Sequence, residues 1–218
     1  MSENTIIDGR EVPWIDTRLP KEIMDHLWDC INHSPQEKPT FPNRGAAIQK
    51  RLAGNISKSI YIQDKNNLFY NNILKEMIEI AFYKDWKNYY ERVVAKIKPP
   101  PIFAIETLWV NYQKQYDFNP SHNHSGLISF VVFMKIPTHW KEQHALPRSA
   151  KSNSPRASDF QFQVGQADGS VSSHSIILSP EDEGRMLFFP AWLTHQVYPF
   201  YETEEKRITI SGNIFIQN

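Results

Sequence analysis

Two histidines separated by one residue, His122 and His124, lie in the segment "FNPSHNHSG" near the middle of the chain. Side chains two residues apart on a strand point the same way, so this pair can direct two imidazoles at one metal ion. Two ligands hold a metal weakly, and a third is expected from another strand. His195, in "FFPAWLTHQVYPF", is the candidate because its hydrophobic surroundings would limit solvent access to a metal. The alternative is that the pair is solvated or hydrogen-bonded on a strand.

Arg207, twelve residues after His195 in "KRITISGNIF", occupies an otherwise apolar, β-branched strand. Alternation places Arg207 and Thr209 on one face of this strand, together with Ser211 and Asn213. A guanidinium inside a β-sandwich is costly unless an anion pairs with it, and a bidentate carboxylate is its best match. The alternative is an edge strand with a wet polar face. Together with the histidines, the arginine favours a buried carboxylate ligand.

The remaining histidines and the cysteine are weaker candidates. We interpret five histidines as structural or solvated, because they fall in a helix, at its end, in a loop or in a Ser-rich strand: His26, His33, His139, His144 and His174. Cys30 falls in a predicted helix and is expected to be packed there. A single cysteine allows no internal disulfide and suits a reducing compartment.

Two spacings of apolar residues, one helical and one typical of strands, predict the elements that would position these residues. Apolar residues recur at helical spacing over residues 20–33 and 67–93, with a short strand predicted over 58–64 between them. The proline run in "KPPPIF" ends the helical region, and the rest of the chain is typical of β structure. Short strands separated by turns are predicted at 104–113, 127–136, 159–164, 173–178, 185–189, 195–200 and 207–216.

These strands predict a mainly β protein with N-terminal helices and an antiparallel sandwich or barrel. One domain spanning 1–218 is expected, with a helical support region at 1–98 and a β core at 102–218. The Ser-, Pro- and Lys/Arg-rich stretch 138–158 lacks periodicity, and we interpret it as a long loop that is either disordered or a lid over the substrate.

Composition excludes several functions. The 24 basic and 24 acidic residues balance, so no global field favours nucleic acid or an anionic membrane. No apolar run is long enough to span a membrane, and "MSENTIIDGREVPW" is unlike a secretory signal. We therefore expect a cytoplasmic protein with no membrane or nucleic-acid partner, and the oligomeric state stays open.

The pattern "HNH", then His195, then Arg207 resembles the iron(II) and 2-oxoglutarate-dependent oxygenases in order and spacing. The resemblance covers about residues 104–217 and implies a double-stranded β-helix, a cupin-like jelly roll. The preceding helices are similar to those that buttress prolyl-hydroxylase-type members. Strings such as "WVNYQ" and "LFFPAWLTHQVYPFY" look closest to uncharacterised oxygenases of marine phages, which would place the protein in a host cytoplasm.

The resemblance implies a role for each matching residue. His122 and His195 match the iron ligands, and Arg207 matches the residue that binds the distal carboxylate of 2-oxoglutarate. The resemblance also implies cofactor binding by the hydroxyl of Thr209 and by Tyr112, for which an aromatic core residue is the alternative. Ser129 alternates inward with Val131 and Phe133 and is expected to line the same pocket, whereas core packing is the alternative for Val131 and Phe133.

His124 departs from the family pattern, which usually has a carboxylate there. Three neutral imidazoles leave iron(II) at +2, which dianionic 2-oxoglutarate neutralises on chelation, so a three-histidine site is electrostatically reasonable. The other possibility is that His124 turns away and leaves two protein ligands.

The implied cofactors are Fe(II), 2-oxoglutarate and O2, and the implied reaction hydroxylates an unactivated C–H bond with release of succinate and CO2. We expect a peptidyl residue such as proline as substrate, with a free amino acid or small metabolite as the alternative. Two other classes stay open: a three-histidine jelly-roll metalloenzyme that does not use 2-oxoglutarate, and a non-catalytic jelly-roll binding protein.

Overall fold

The computed structural model describes residues 6–7, 10–11, 14–34, 53–81 and 102–217. Its helices are α1 (Lys21–Asn32), a π-helical turn (Tyr70–Leu74) that continues into α2 (Lys75–Ile80), and α3 (Trp140–Ala145). Its strands are β1 (Ile6–Ile7), β2 (Arg10–Glu11), β3 (Ile15–Arg18), β4 (Lys58–Tyr61), β5 (Ile102–Gln113), β6 (Asn119–His122), β7 (Ile128–Lys135), β8 (Phe160–Gly165), β9 (Val171–Ile176), β10 (Arg185–Pro190), β11 (Thr194–Val197) and β12 (Arg207–Gln217).

Two antiparallel sheets form the body of the protein. The larger has the strand order β3-β10-β7-β12-β5-β4, and the smaller has the order β6-β11-β8-β9. Apart from the β8–β9 hairpin, successive strands from β5 to β12 alternate between the two sheets, as they do in a jelly roll. The predicted mainly β fold with a double-stranded β-helix core is therefore confirmed.

The continuous apolar run of β7 explains where the core lies. Seven of its eight residues are buried, because both faces of this central strand are covered. Phe130 and Val132 belong to a cluster that packs the larger sheet against α1 and α2. Val131 and Phe133 face the smaller sheet and meet Phe160 and its neighbours in a second cluster. A cavity opens between the two sheets, lined by residues of both.

Most predicted elements are present. The helix predicted over 20–33 corresponds to α1, and the short strand predicted over 58–64 corresponds to β4. The seven other predicted β segments correspond to β5 and β7–β12 with shifted ends. The helix predicted over 67–93 is observed through residue 81, and its remainder lies outside the described residues. The short β1–β2 pair was missed, and so were two strands of the main sheets: β3, which pairs with β10, and β6, which pairs with β11. β3 and β6 are four residues long and lack a clear alternation of apolar and polar residues.

The segment 138–158 is packed against the rest of the protein. It contains α3, and the buried Gln143 exchanges two hydrogen bonds with the backbone of Tyr201. Arg148 stacks over the Tyr201 ring, with its guanidinium carbon 4.4 Å from the ring centroid. The prediction of a loop without regular structure is therefore wrong in part, because contacts distant in sequence hold a helix there.

No helix within the described residues combines the length and apolar character needed to cross a bilayer. The division into a support region and a catalytic core stays a prediction.

Candidate metal and carboxylate site

Three imidazoles converge between the sheets. One ring nitrogen from each of His122, His124 and His195 lies within 4.8 Å of the other two. The ring centroids are 4.3 Å apart for His122 and His195, and each lies 5.0 Å from that of His124. The sequence therefore identified three histidines that the fold does bring together.

The strand register explains this convergence. His195 on β11 pairs directly with His122 at the end of β6, so the two side chains share a face. His124 lies beyond the end of β6, and its amide donates to the carbonyl of Ala191 at 2.8 Å. Gly126, with φ +108°, then turns the chain into β7. The expectation that one strand aligns both histidines is therefore wrong, because a backbone contact outside the strand places His124.

Hydrogen bonds orient two of the rings. His122 Nδ1 lies 2.7 Å from the carbonyl oxygen of Pro120, and His195 Nδ1 lies 3.0 Å from that of Leu193. A carbonyl only accepts, so each Nδ1 carries the proton and each Nε2 keeps its lone pair. In this structure Asn119 Nδ2 donates to His122 Nε2 at 3.2 Å.

Burial keeps the three rings uncharged. It lowers the pKa of His124 to about 4 and that of His195 well below its ordinary value, and the neighbouring imidazoles add to both effects. Burial also lowers the pKa of His122. Neutral imidazole is the form that coordinates a metal, so the site presents three ligands in the required state at neutral pH.

Aromatic rings enclose His195, which is 4% exposed. Phe160 stacks on it at 5.4 Å between centroids, and Phe189 meets it edge-on at 4.9 Å. Such an apolar wall limits water access on this side of the triad.

Arg207 lines the same cavity and is 1% exposed. Its Nη2 donates to the carbonyl and hydroxyl oxygens of Ser158 at 2.8 Å and 2.5 Å. Its Nε and Nη1 have no hydrogen-bond partner among the described residues. Burial lowers the pKa of Arg207 to about 10, so it stays charged at neutral pH. A buried cation with unused donors fits a carboxylate ligand.

Of the other predicted cofactor-binding residues, one lines the cavity and two do not. Thr209 lines the cavity beside Arg207. Ser129 faces the smaller sheet as expected, but its hydroxyl donates to Asn213 at 2.8 Å and it does not line the cavity, whereas Val131 and Phe133 do. Tyr112 packs with the cluster on the outer face of the larger sheet.

The placement of Tyr112 in the pocket is therefore wrong, and the strand register gives the reason. Gln113 pairs with Arg207 and Asn111 with Thr209, so these two residues of β5 face the cavity and Tyr112 faces away.

Two further polar atoms in the cavity were not predicted. The indole Nε1 of Trp109 and the amide Oδ1 of Asn119 are buried and have no hydrogen-bond partner in the described part of the chain. Trp109 lies beside His124, with ring centroids 6.1 Å apart, and Asn119 contacts His122. One unpaired donor and one unpaired acceptor thus flank the histidine pair.

Comparison with known proteins agrees with this site. Residues 107–213 match the family described as "Putative 2OG-Fe(II) oxygenase". No curated protein shows a significant sequence match. The predicted resemblance to marine phage oxygenases stays a prediction.

Several solved structures align with the chain at low sequence identity. A Pseudomonas putida prolyl-4-hydroxylase aligns over 94% of both chains with a TM-score of 0.50 and 12% identity. A Burkholderia pseudomallei oxidoreductase of the 2OG-Fe(II) oxygenase family aligns over 93% of this chain and 85% of that one, with a TM-score of 0.44 and 10% identity. A Trichoplax adhaerens prolyl hydroxylase, in complex with a peptide fragment of hypoxia inducible factor, aligns over 94% and 83% with a TM-score of 0.45 and 10% identity.

Proposed function

Since the chain belongs to the 2OG-Fe(II) oxygenase family and uses Fe(II), 2-oxoglutarate and O2, we propose that it hydroxylates a C–H bond at the cavity between its two sheets. The observation that carries this assignment is the convergence of three neutral imidazoles beside a buried arginine with unused donors.

The proposed iron ligands are His122, His124 and His195. The Nδ1 hydrogen bonds of His122 and His195 leave the Nε2 lone pair of each ring for a metal, although in His122 it now accepts from Asn119. These three side chains would hold the metal and would leave it positions for the co-substrate and O2. Iron binding would take the His122 lone pair from Asn119, so we expect the Asn119 side chain to respond to the metal.

Arg207 and Thr209 are the proposed binding residues for the distal carboxylate of 2-oxoglutarate. The Nε and Nη1 donors of Arg207 supply charge-assisted hydrogen bonds that the protein itself leaves unmade. Thr209 adds a hydroxyl from the same face of β12. The donors present therefore fit the chemistry of the co-substrate.

When bound, iron(II) and 2-oxoglutarate supply the oxidation: the oxo acid loses CO2 to give succinate, and one atom of O2 enters the substrate C–H bond. The chain contributes position and environment. Arg207 orients the carboxylate, Phe160 and Phe189 keep water from the His195 side, and the uncharged imidazoles leave the positive charge of the site to the metal and the guanidinium.

For the substrate we propose a peptidyl residue, most simply proline. The support is the unpaired donor on Trp109 and the unpaired acceptor on Asn119, on either side of the histidine pair. A backbone amide offers the complementary acceptor and donor, so a peptide satisfies both. A free amino acid has a charged amine and carboxylate in place of those amides.

The test is an anaerobic titration of the protein with Fe(II) and 2-oxoglutarate. We expect a weak metal-to-ligand charge-transfer band in the visible, and we expect Arg207→Ala to abolish it while Fe(II) still binds. Succinate release in air should then rise with a proline-containing peptide and much less with free proline.

Results other than these would indicate a different function or a different substrate. A band that survives Arg207→Ala, or turnover without 2-oxoglutarate, indicates a three-histidine metalloenzyme of another type. Failure to bind iron at all indicates a jelly-roll binding protein. Stimulation by free proline equal to that by the peptide contradicts the substrate class and leaves the oxygenase assignment intact.

A further inference from the structure

Ser158, two residues before β8, contacts the guanidinium of Arg207 inside the protein. Ser158 is fully buried, and both of its oxygens accept from Nη2 of Arg207. Hydrogen bonds from a charged donor are stronger than neutral ones. One serine therefore occupies one guanidinium nitrogen and leaves the other two for a ligand.

The backbone of Ser158 is held in an unusual conformation. Its φ is +75°, in the left-handed region that few residues other than glycine adopt. Its amide donates to the carbonyl of Pro199 at 2.9 Å, and its hydroxyl lies 3.2 Å from that of Thr138. Strain of this kind persists only where surrounding contacts impose it, and it often marks functional sites.

The next residue supports the same arrangement. Asp159 is fully buried, its Oδ1 accepts from His144 Nε2 at 2.8 Å, and its charge favours the protonated form of Arg207. His144 belongs to α3, which Gln143 joins to Tyr201. The segment 138–158 is thus connected to the arginine through two successive residues.

We propose that Ser158 is a positioning residue for 2-oxoglutarate binding: by holding Nη2, it fixes the guanidinium plane so that an unused N–H donor of Arg207 faces the distal carboxylate. An arginine side chain has many rotamers, and fixing one of them before binding removes an entropic cost from ligand affinity. The inference rests on the proposed function. It also gives the segment 138–158, predicted to be a substrate lid or a disordered loop, a role in co-substrate binding.

The test compares Ser158→Ala with Ser149→Ala, which removes the hydroxyl of another buried serine in the same segment that does not contact Arg207. We expect the Kd for 2-oxoglutarate, from anaerobic titration of the charge-transfer band, to rise about 10-fold in Ser158→Ala, the effect of one hydrogen bond to a charged group. KM for 2-oxoglutarate should rise similarly, with kcat within about twofold and Fe(II) affinity unchanged. Ser149→Ala should match the wild type.

Ser158→Gly is a second variant in case Ser158→Ala does not fold. Glycine adopts φ +75° without strain, and this variant keeps the backbone carbonyl but lacks the hydroxyl. It should weaken 2-oxoglutarate binding as Ser158→Ala does. Wild-type affinity for 2-oxoglutarate in both Ser158 variants would overturn the positioning role, and so would an equal loss of affinity in Ser149→Ala. In either case, loss of the charge-transfer band in Arg207→Ala would still support the proposed function. If the wild type gives no band, the proposed function fails first.

Discussion

Two clusters of metal-type ligands can be compared in the described part of the protein. His26, Cys30 and Asp64 form one where α1 meets the start of the π-helical turn, and His122, His124 and His195 form the other between the sheets. In each cluster the potential ligand atoms lie within 4.8 Å of one another. By proximity alone, the two look equally able to hold an ion.

The first cluster is already satisfied by hydrogen bonds. Asp64 Oδ1 accepts from His26 Nε2 at 2.8 Å and from the amide of Phe69 at 3.1 Å, and Oδ2 accepts from the amide of Tyr70 at 2.9 Å. These amides begin a helix and need an acceptor. The carboxylate therefore caps one helix and ties it to α1, which is a structural function.

The second cluster leaves its ligand atoms facing an open cavity. Its Nδ1 bonds to Pro120 and Leu193 orient two rings, and His122 Nε2 accepts only from Asn119, which belongs to the cavity wall. The nearby Arg207 and Trp109 keep donors unused. The comparison teaches that proximity identifies candidate ligands, whereas the hydrogen bonds still missing distinguish a binding site from a structural contact.

The largest expected difference is in metal affinity. His195→Ala should weaken Fe(II) binding by more than about 100-fold, because loss of even an outer-sphere partner costs roughly 10- to 100-fold. His26→Ala, the matched change in the other cluster, should leave Fe(II) affinity unchanged. Anaerobic competition with a chromogenic chelator measures both, and equal losses would remove the distinction between the clusters.

A smaller effect is expected on the pH dependence of stability without metal. The folded-state pKa of His124 is about 4, below its ordinary value of 6.5, so the unfolded chain binds more protons between these values. The contribution is fully present above pH 6.5 and is lost as pH falls toward 4, by about 2 kcal/mol at pH 5 relative to pH 7.5. His122 and His195 act in the same direction.

Urea unfolding of the metal-free protein at several pH values measures this loss. His124→Gln should be less sensitive over the same interval. An unchanged pH dependence in that variant would contradict the assignment of the loss to the triad.

The smallest effect should come from the first cluster. Asp64→Ala removes the acceptor of two helix-start amides and should lower the free energy of unfolding by about 1–2 kcal/mol. Fe(II) affinity and the 2-oxoglutarate-dependent band should not change. Denaturant unfolding with a metal titration on the same sample checks both, and weakened metal binding would indicate that this cluster holds an ion.

Much of this protein could be predicted from local pattern. Alternation and turn residues located eight strands, and residue type with spacing selected His122, His195 and Arg207. The errors occurred where a contact distant in sequence determines the secondary structure or the direction of a side chain. Residues 119–122 form a strand because β11 pairs with them, and α3 is held by Tyr201. Tyr112 was misplaced because its facing depends on the register with β12.

The sequence by itself determined the class of fold and the chemical groups available, since strand periodicity and side-chain chemistry are local properties. Only the tertiary structure decided which groups meet and which are left unpaired. It separated the histidines of the cavity from His26, and it brought Ser158 to Arg207 across 49 positions of sequence. The reason is physical: a lone pair or N–H becomes a binding feature only once packing has removed water and every other partner from it.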